Sequence, residues 1–185
     1  MGEQHKKHNR REHLNDFHLN VAGEYVYDGA LYACQNDDAK QRRSKRAVWG
    51  MAAILTVAVA AGGCIPAPGT QNCFYVLLPY LGEFLGAASV IWALAKLGTD
   101  WSTVREYNYK KSVAVLPVRT AVTAVFSLLG IVCELIFFFV NDHAGQTFFA
   151  LLYVLLKLIA LLSVLVLRAE IMQAEWDKLP KKNNF

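Results

Sequence analysis

The sequence predicts an all-α integral membrane protein, a bundle of four transmembrane helices with a cytoplasmic N-terminal arm. Three observations predict it. Apolar residues make up 55% of the 185 residues and charged ones only 18%, a balance unusual for a soluble domain. The apolar content is gathered into four stretches, residues 46–63, 73–97, 114–140 and 147–168, each near the ~20 residues that cross a hydrocarbon core about 30 Å thick. Among the connections, finally, Lys and Arg occur in one alternating set only, as the positive-inside rule requires.

Each span is apolar nearly all round, whereas a soluble amphipathic helix keeps a polar face. The last reads FFALLYVLL-LIALLSVLVL around a single charge, Lys157. Nine Lys and Arg precede or open the first span, ending in Arg42, Arg43, Lys45 and Arg46. Arg105, Lys110 and Lys111 lie between the second and third spans, and Arg168, Lys178, Lys181 and Lys182 follow the fourth. The loops 64–72 and 141–146 contain none. Both termini are therefore expected in the cytoplasm, with two short outer loops and the plasma membrane as the expected location. Trp49, Trp92, Trp101 and Trp176 fall near the cytoplasmic boundary, where an amphipathic indole prefers to sit. The net charge of +4 reads as an orientation signal and not as a nucleic-acid patch.

Residues 1–45 form the arm and 169–185 the cytoplasmic tail, with residues 46–168 between them. The first 20 residues are charged and expected to be loosely held. Their His5, His8, His13 and His18 have no ligand spacing, so no metal site is expected. The first apolar run begins only after the polar arm, so no cleavable signal peptide is expected, and AAGGC before residue 65 reads as helix rather than lipoprotein site. Around 24–33, β-formers flank Asp28-Gly29, a pair that favours a tight turn, and a small β-hairpin is one reading of it. An irregular aromatic linker is the other. Asn36 or Asp37 is the expected N-cap of the first helix. The first outer loop, GGCIPAPGTQNC, is expected to be a tight non-helical turn. The second is so short that the third and fourth helices must be antiparallel neighbours. The tail is expected to prolong the fourth helix until Pro180 discourages it.

The informative residues are charges inside the spans: Glu83, Glu134 and Lys157. In hydrocarbon such groups cost at least a few kcal/mol, face the bundle and find partners. Counted from the loop ends at 1.5 Å per residue, they lie roughly 15, 10 and 16 Å deep, close to one level. On the third helix Thr120, Thr123, Ser127, Gly130 and Glu134 recur at steps of three and four, forming a small-and-polar stripe. On the fourth, Ala150, Tyr153, Lys157 and Ala160 share a face. Gly82 and Gly86 have the GxxxG spacing that lets another backbone approach closely. Arg119 is expected to reach cytoplasmic phosphates. Cys64 and Cys73 bracket the first outer loop and can form a disulfide there.

Two functional readings follow. The first is a non-enzymatic subunit or accessory protein, partnered by the lipid bilayer and by copies of itself or another membrane protein. The second is a small oligomeric transporter or channel using Glu83, Glu134 and Lys157. No phosphate loop, nucleophile elbow or zinc-protease motif is present. No catalytic residue and no cofactor are expected, Asn141, Asp142 and His143 being the sole outer-face polar cluster.

Overall fold

A computed structural model describes residues 17–19, 23, 25–27, 29–141 and 147–179. The loosely held arm, its histidines, Asp142 and His143 therefore lie outside the described residues, Phe17–Leu19 excepted. Most of the structure (75%) is helical. Four helices are long and apolar enough to cross a membrane: α1 (Asp38–Cys64), α3 (Phe74–Leu97), α5 (Leu116–Val140) and α6 (Thr147–Met172). Two shorter helices, α2 (Pro68–Asn72) and α4 (Glu106–Lys111), lie in connections. Among the described residues there are also five short strands: β1 (Phe17–Leu19), β2 (Tyr25–Tyr27), β3 (Leu31–Cys34), β4 (Val104–Arg105) and β5 (Trp176–Lys178).

The helices start and stop where local chemistry changes. Asp37 is the N-cap of α1, with Asp38 in the first turn complementing the helix dipole. Helix α1 begins eight residues before the apolar span, so the basic run 42–46 is helical and not part of an extended arm. The reason is packing: Gln41, Ser44 and Val48 are buried there against the rest of the chain. Helix α3 ends at Gly98, whose φ of 71° suits the residue after a helix and whose N–H reaches Leu94 O. Helix α5 opens with a proline in its first turn, where the missing donor costs nothing. Around the bundle α1 packs along α6, α6 along α5 and α5 along α3, while α3 closes more thinly on α1.

Where termini and the 98–115 connection meet, a three-stranded antiparallel sheet caps the bundle, ordered β4-β3-β5. Tyr32 pairs with Val104 on one side and Lys178 on the other. Beneath it lies a core that includes Cys34, Val48, Leu94, Leu97, Trp101, Val104 and Leu167. Tyr32 stacks on Tyr109 at 4.2 Å, and Trp101 lies 5.8 Å from Trp176. In the connection, Asp100 Oδ1 accepts from the Ser102 hydroxyl at 2.6 Å and its N–H at 3.0 Å, which holds the exposed carboxyl below its usual range.

Four expectations are corrected here. The hairpin across Asp28-Gly29 does not form: β2 pairs backward with β1 and β3 pairs with β4 and β5. Gly29 lacks the positive φ that such a turn needs, and Gly23 has it instead, at 80°. The tail leaves the helix at Met172 and becomes strand β5, because β3 offers it an unpaired edge. Trp101 is not an interfacial anchor but a core residue, 2% exposed. The connection 64–72, finally, expected to be a non-helical turn, holds a helical one. Pro68 starts it, Thr70 and Asn72 side chains bond Ala67 O and Pro68 O at 2.9 Å each, and Ala67, Pro68 and Gly69 are buried.

Candidate functional site

The bundle interior is built from small residues that admit a few large polar ones. On α3, Gly82 and Gly86 face α5. A Cβ at Gly86 would stand 2.5 Å from Thr123 Oγ1 and 3.3 Å from Thr123 Cα, and one at Gly82 would stand 2.5 Å from the Phe126 ring. The two backbones thus approach as the GxxxG spacing predicts, and Glu83 between those glycines is carried into the core.

Glu83 is fully buried and Lys157 is 2% exposed. The Lys157 ammonium pairs directly with Glu83 Oε2. Ser127 on α5 donates to Glu83 Oε1 at 2.5 Å. The ammonium also lies 4.5 Å from the Tyr80 ring centroid and 5.0 Å from that of Tyr153, within cation–π range. Tyr80 in turn donates its hydroxyl to Val59 O on α1 at 3.4 Å. Helices α3, α5 and α6 therefore supply one buried ion pair and its direct partners, and α1 joins through the Tyr80 hydroxyl.

Glu134 stands apart from that pair. It is fully buried, but no ion pair joins it to Lys157. Counted along α5, it lies seven residues beyond Ser127, about 10 Å at 1.5 Å per residue. Glu134 Oε1 accepts a long 3.4 Å bond from the Gly69 N–H of the α2 segment. A Cβ at Gly69 would collide with the carboxylate, so that close approach requires glycine. Glu134 Oε2 and the Tyr153 hydroxyl, both buried, have no hydrogen-bond partner. Of the three charges expected at one level, Lys157 is paired directly with Glu83, while Glu134 lies within electrostatic reach of the same ammonium without an ion pair.

Thr120 and Thr123 are buried on the expected face but do not join the charges. Their hydroxyls donate back to Leu116 O at 2.9 Å and Arg119 O at 2.8 Å, the usual recourse of a threonine within a helix. Arg119 does not snorkel: its Nη1 donates to Ser89 O on α3 at 2.7 Å. Arg168 likewise donates to Pro117 O, tying α6 to the start of α5. Asn141 donates its amide back to Phe137 O at 3.1 Å.

Tyr80, Gly69 and Arg168 are participants that sequence reasoning passed over. Tyr80 had a signal, since it precedes Glu83 by three residues and so shares its helix face. Gly69 had none, lying in a connection read as a plain turn. The four cysteines are free thiols, and the disulfide between Cys64 and Cys73 is not formed in this structure. Among the described residues no group of three or more His, Cys, Asp and Glu is placed to hold a metal ion.

Clefts among the described residues include three that bear on the site. One of about 220 Å³ opens between the end of α1, the α2 segment and α3, with Tyr80 in its wall. One of about 280 Å³ lies near Lys40, Arg43 and Glu170, and one of about 550 Å³ runs along Arg42, Arg43 and Arg46. None of these three is lined by Glu83, Glu134 or Lys157. No known protein family, curated protein or solved structure matches the chain.

Proposed function

We propose that this chain is a non-enzymatic subunit or accessory protein of a membrane assembly, embedded through its four long helices with both termini in the cytoplasm. One observation carries the reading: the buried ion pair closes on itself, and neither Glu83 nor Lys157 lines any of the three clefts, the Tyr80 ring standing between the ammonium and the nearest of them. A bundle plugged at that level favours a structural role over a conduit. The outward helix faces support embedding, since Leu78, Leu85, Val125, Leu128, Leu151 and Leu162 are all exposed. So continuous an apolar surface exceeds what a soluble monomer normally presents. The lysine- and arginine-bearing cap end supports the cytoplasmic assignment.

Reporter fusions at Gly145 and after Phe185 test the topology, and opposite sides are expected. Purification in mild detergent, with native mass measurement, then tests the assembly: a multiple of the chain mass or a stoichiometric membrane partner is expected. A strictly monomeric chain with nothing bound would count against the subunit role.

A second reading, a small transporter, is favoured by one specific observation. Glu134 is a buried acid with an unpartnered oxygen, close to the α2 segment. Ion flux into proteoliposomes that Glu134→Gln abolishes without lowering expression would move the assignment to this class.

A further inference from the structure

We propose that Glu134 is a proton-binding site, a carboxylic acid held neutral in the resting bundle and exchanging its proton with the face that carries α2. The inference rests on the membrane-embedded reading above, and it assigns the two acids different roles.

The geometry separates them. Glu83 has a cation on one oxygen and the Ser127 hydroxyl on the other. Glu134 has a single long backbone N–H on Oε1 and nothing on Oε2. A carboxylate accepts through both oxygens and, when buried, needs several donors or a cation. A neutral acid needs far less, because one oxygen becomes a donor and the charge is gone. The groups facing Glu134 supply no alternative. Helix α6 presents Lys157 and Tyr153 and α3 presents Tyr75, while Glu83, Tyr80, Cys73 and Cys133 lie around those side chains. Lys157 is the one cation among them, and Glu83 holds it. The α2 segment (PGTQN) contributes no charge at all.

A metal ion fits less well than a proton. Hard divalent cations gather six or more oxygens. The buried oxygens left without partners here are Glu134 Oε2 and the Tyr153 hydroxyl. The exchange route follows from position. Glu134 lies six residues from the end of α5, about 9 Å along the axis, and the α2 segment covers it through Gly69. Thr70 and Gln71 of the same segment line the 220 Å³ cleft, so one five-residue element stands between the acid and that opening.

Infrared spectroscopy of the full chain in lipid nanodiscs tests the proposal. At neutral pH the wild type should show the carbonyl stretch of a protonated carboxylic acid, moved to lower frequency when the glutamates are 13C-labelled. Solvent-exposed glutamates are ionised at that pH and contribute nothing to the band. Exchanging sodium for potassium should leave it unchanged, and Glu134→Gln should abolish it. Absence of the band in the wild type overturns the proposal, as does its persistence in Glu134→Gln. A band that appears only when sodium is withdrawn would assign a metal cation to the site instead. If Glu134→Gln does not accumulate, Glu134→Asp takes its place: with only the glutamates 13C-labelled, its band should no longer shift, and a band that still shifts overturns the proposal. Failure of the embedding itself shows separately, as a chain released from membranes by alkaline carbonate.

Discussion

Replacing Lys157 by Met should cost far more stability than replacing Glu83 by Gln, and the pair should be strongly coupled. In Lys157→Met the Glu83 carboxylate keeps the Ser127 hydroxyl but loses its cation at a fully buried position. Removing one member of a buried ion pair typically destabilises by about 3–5 kcal/mol, because the other charge stays behind unsolvated. Glu83→Gln retains an oxygen that can accept from the ammonium, and two tyrosine rings still face that cation. Its cost should resemble a lost charged hydrogen bond, about 1.5–3 kcal/mol. The double variant removes both charges and should cost little more than Glu83→Gln. The coupling energy should then be near 3 kcal/mol, a value that separates two states of the pair. Hydrogen bonds between uncharged groups in membrane proteins couple by about 0.6 kcal/mol on average and reach about 1.7 at most. Equilibrium unfolding of all four proteins in mixed micelles at neutral pH measures the cycle. A coupling below about 1 kcal/mol would show that the pair is not ionic, and that the bundle's register is fixed by something else.

Three further substitutions probe the packing. Gly86→Ala should destabilise by about 1–3 kcal/mol and Gly82→Ala by less, because the first meets Thr123 Cα while the second meets a half-buried Phe126 ring able to turn aside; denaturation midpoints should rank in that order, and equal losses would contradict the backbone argument. Trp101→Ala should cost about 3–5 kcal/mol, with amide protection lost first in β3 and β5, whose sheet rests on that indole and whose Cys34 N–H bonds Trp101 O at 3.0 Å. Uniform loss of protection across α5 and α6 as well would mean that the cap and the bundle unfold as one unit.

How much of this was legible in the sequence depended on the range of the interaction that decides each feature. The four long helices are local facts, since a run of apolar residues about 20 long leaves the backbone few alternatives. The inward faces of α5 and α6 were legible for the same reason. A helix repeats every 3.6 residues, so Thr120, Ser127 and Glu134, or Ala150, Tyr153 and Lys157, declare their face without reference to any neighbour. What the periodicity could not convey was how the charges pair. Depth counted from loop ends put three charges near one level, yet the choice of Glu83 over Glu134 by Lys157 depends on how far α3 slides past α5. That slide is set by Gly82 and Gly86 meeting Phe126 and Thr123.

The cap fails to announce itself for a related reason. β3 has four residues and β4 only two, and neither can be stable alone. They exist because segments some 70 residues apart in sequence each offer an edge to the other, as the pairing of Leu31 with Arg105 shows. The Asp28-Gly29 dipeptide favoured a local turn, and the distant partners of β3 overrode it. Burial of Trp101 then follows from the sheet, not from the boundary position of an indole in an apolar sequence. The same logic explains Glu134. Among the described residues its one hydrogen bond comes from Gly69, 65 residues away, in a connection whose prolines and glycines spell a turn without saying where it will rest. Because that segment folds onto the end of α5, the acid that looked like the third member of a triad is left without an ion pair under a five-residue cover. A site defined by an unfilled valence of this kind can be read only from the packed structure, since it consists of the partners that every neighbouring helix withholds.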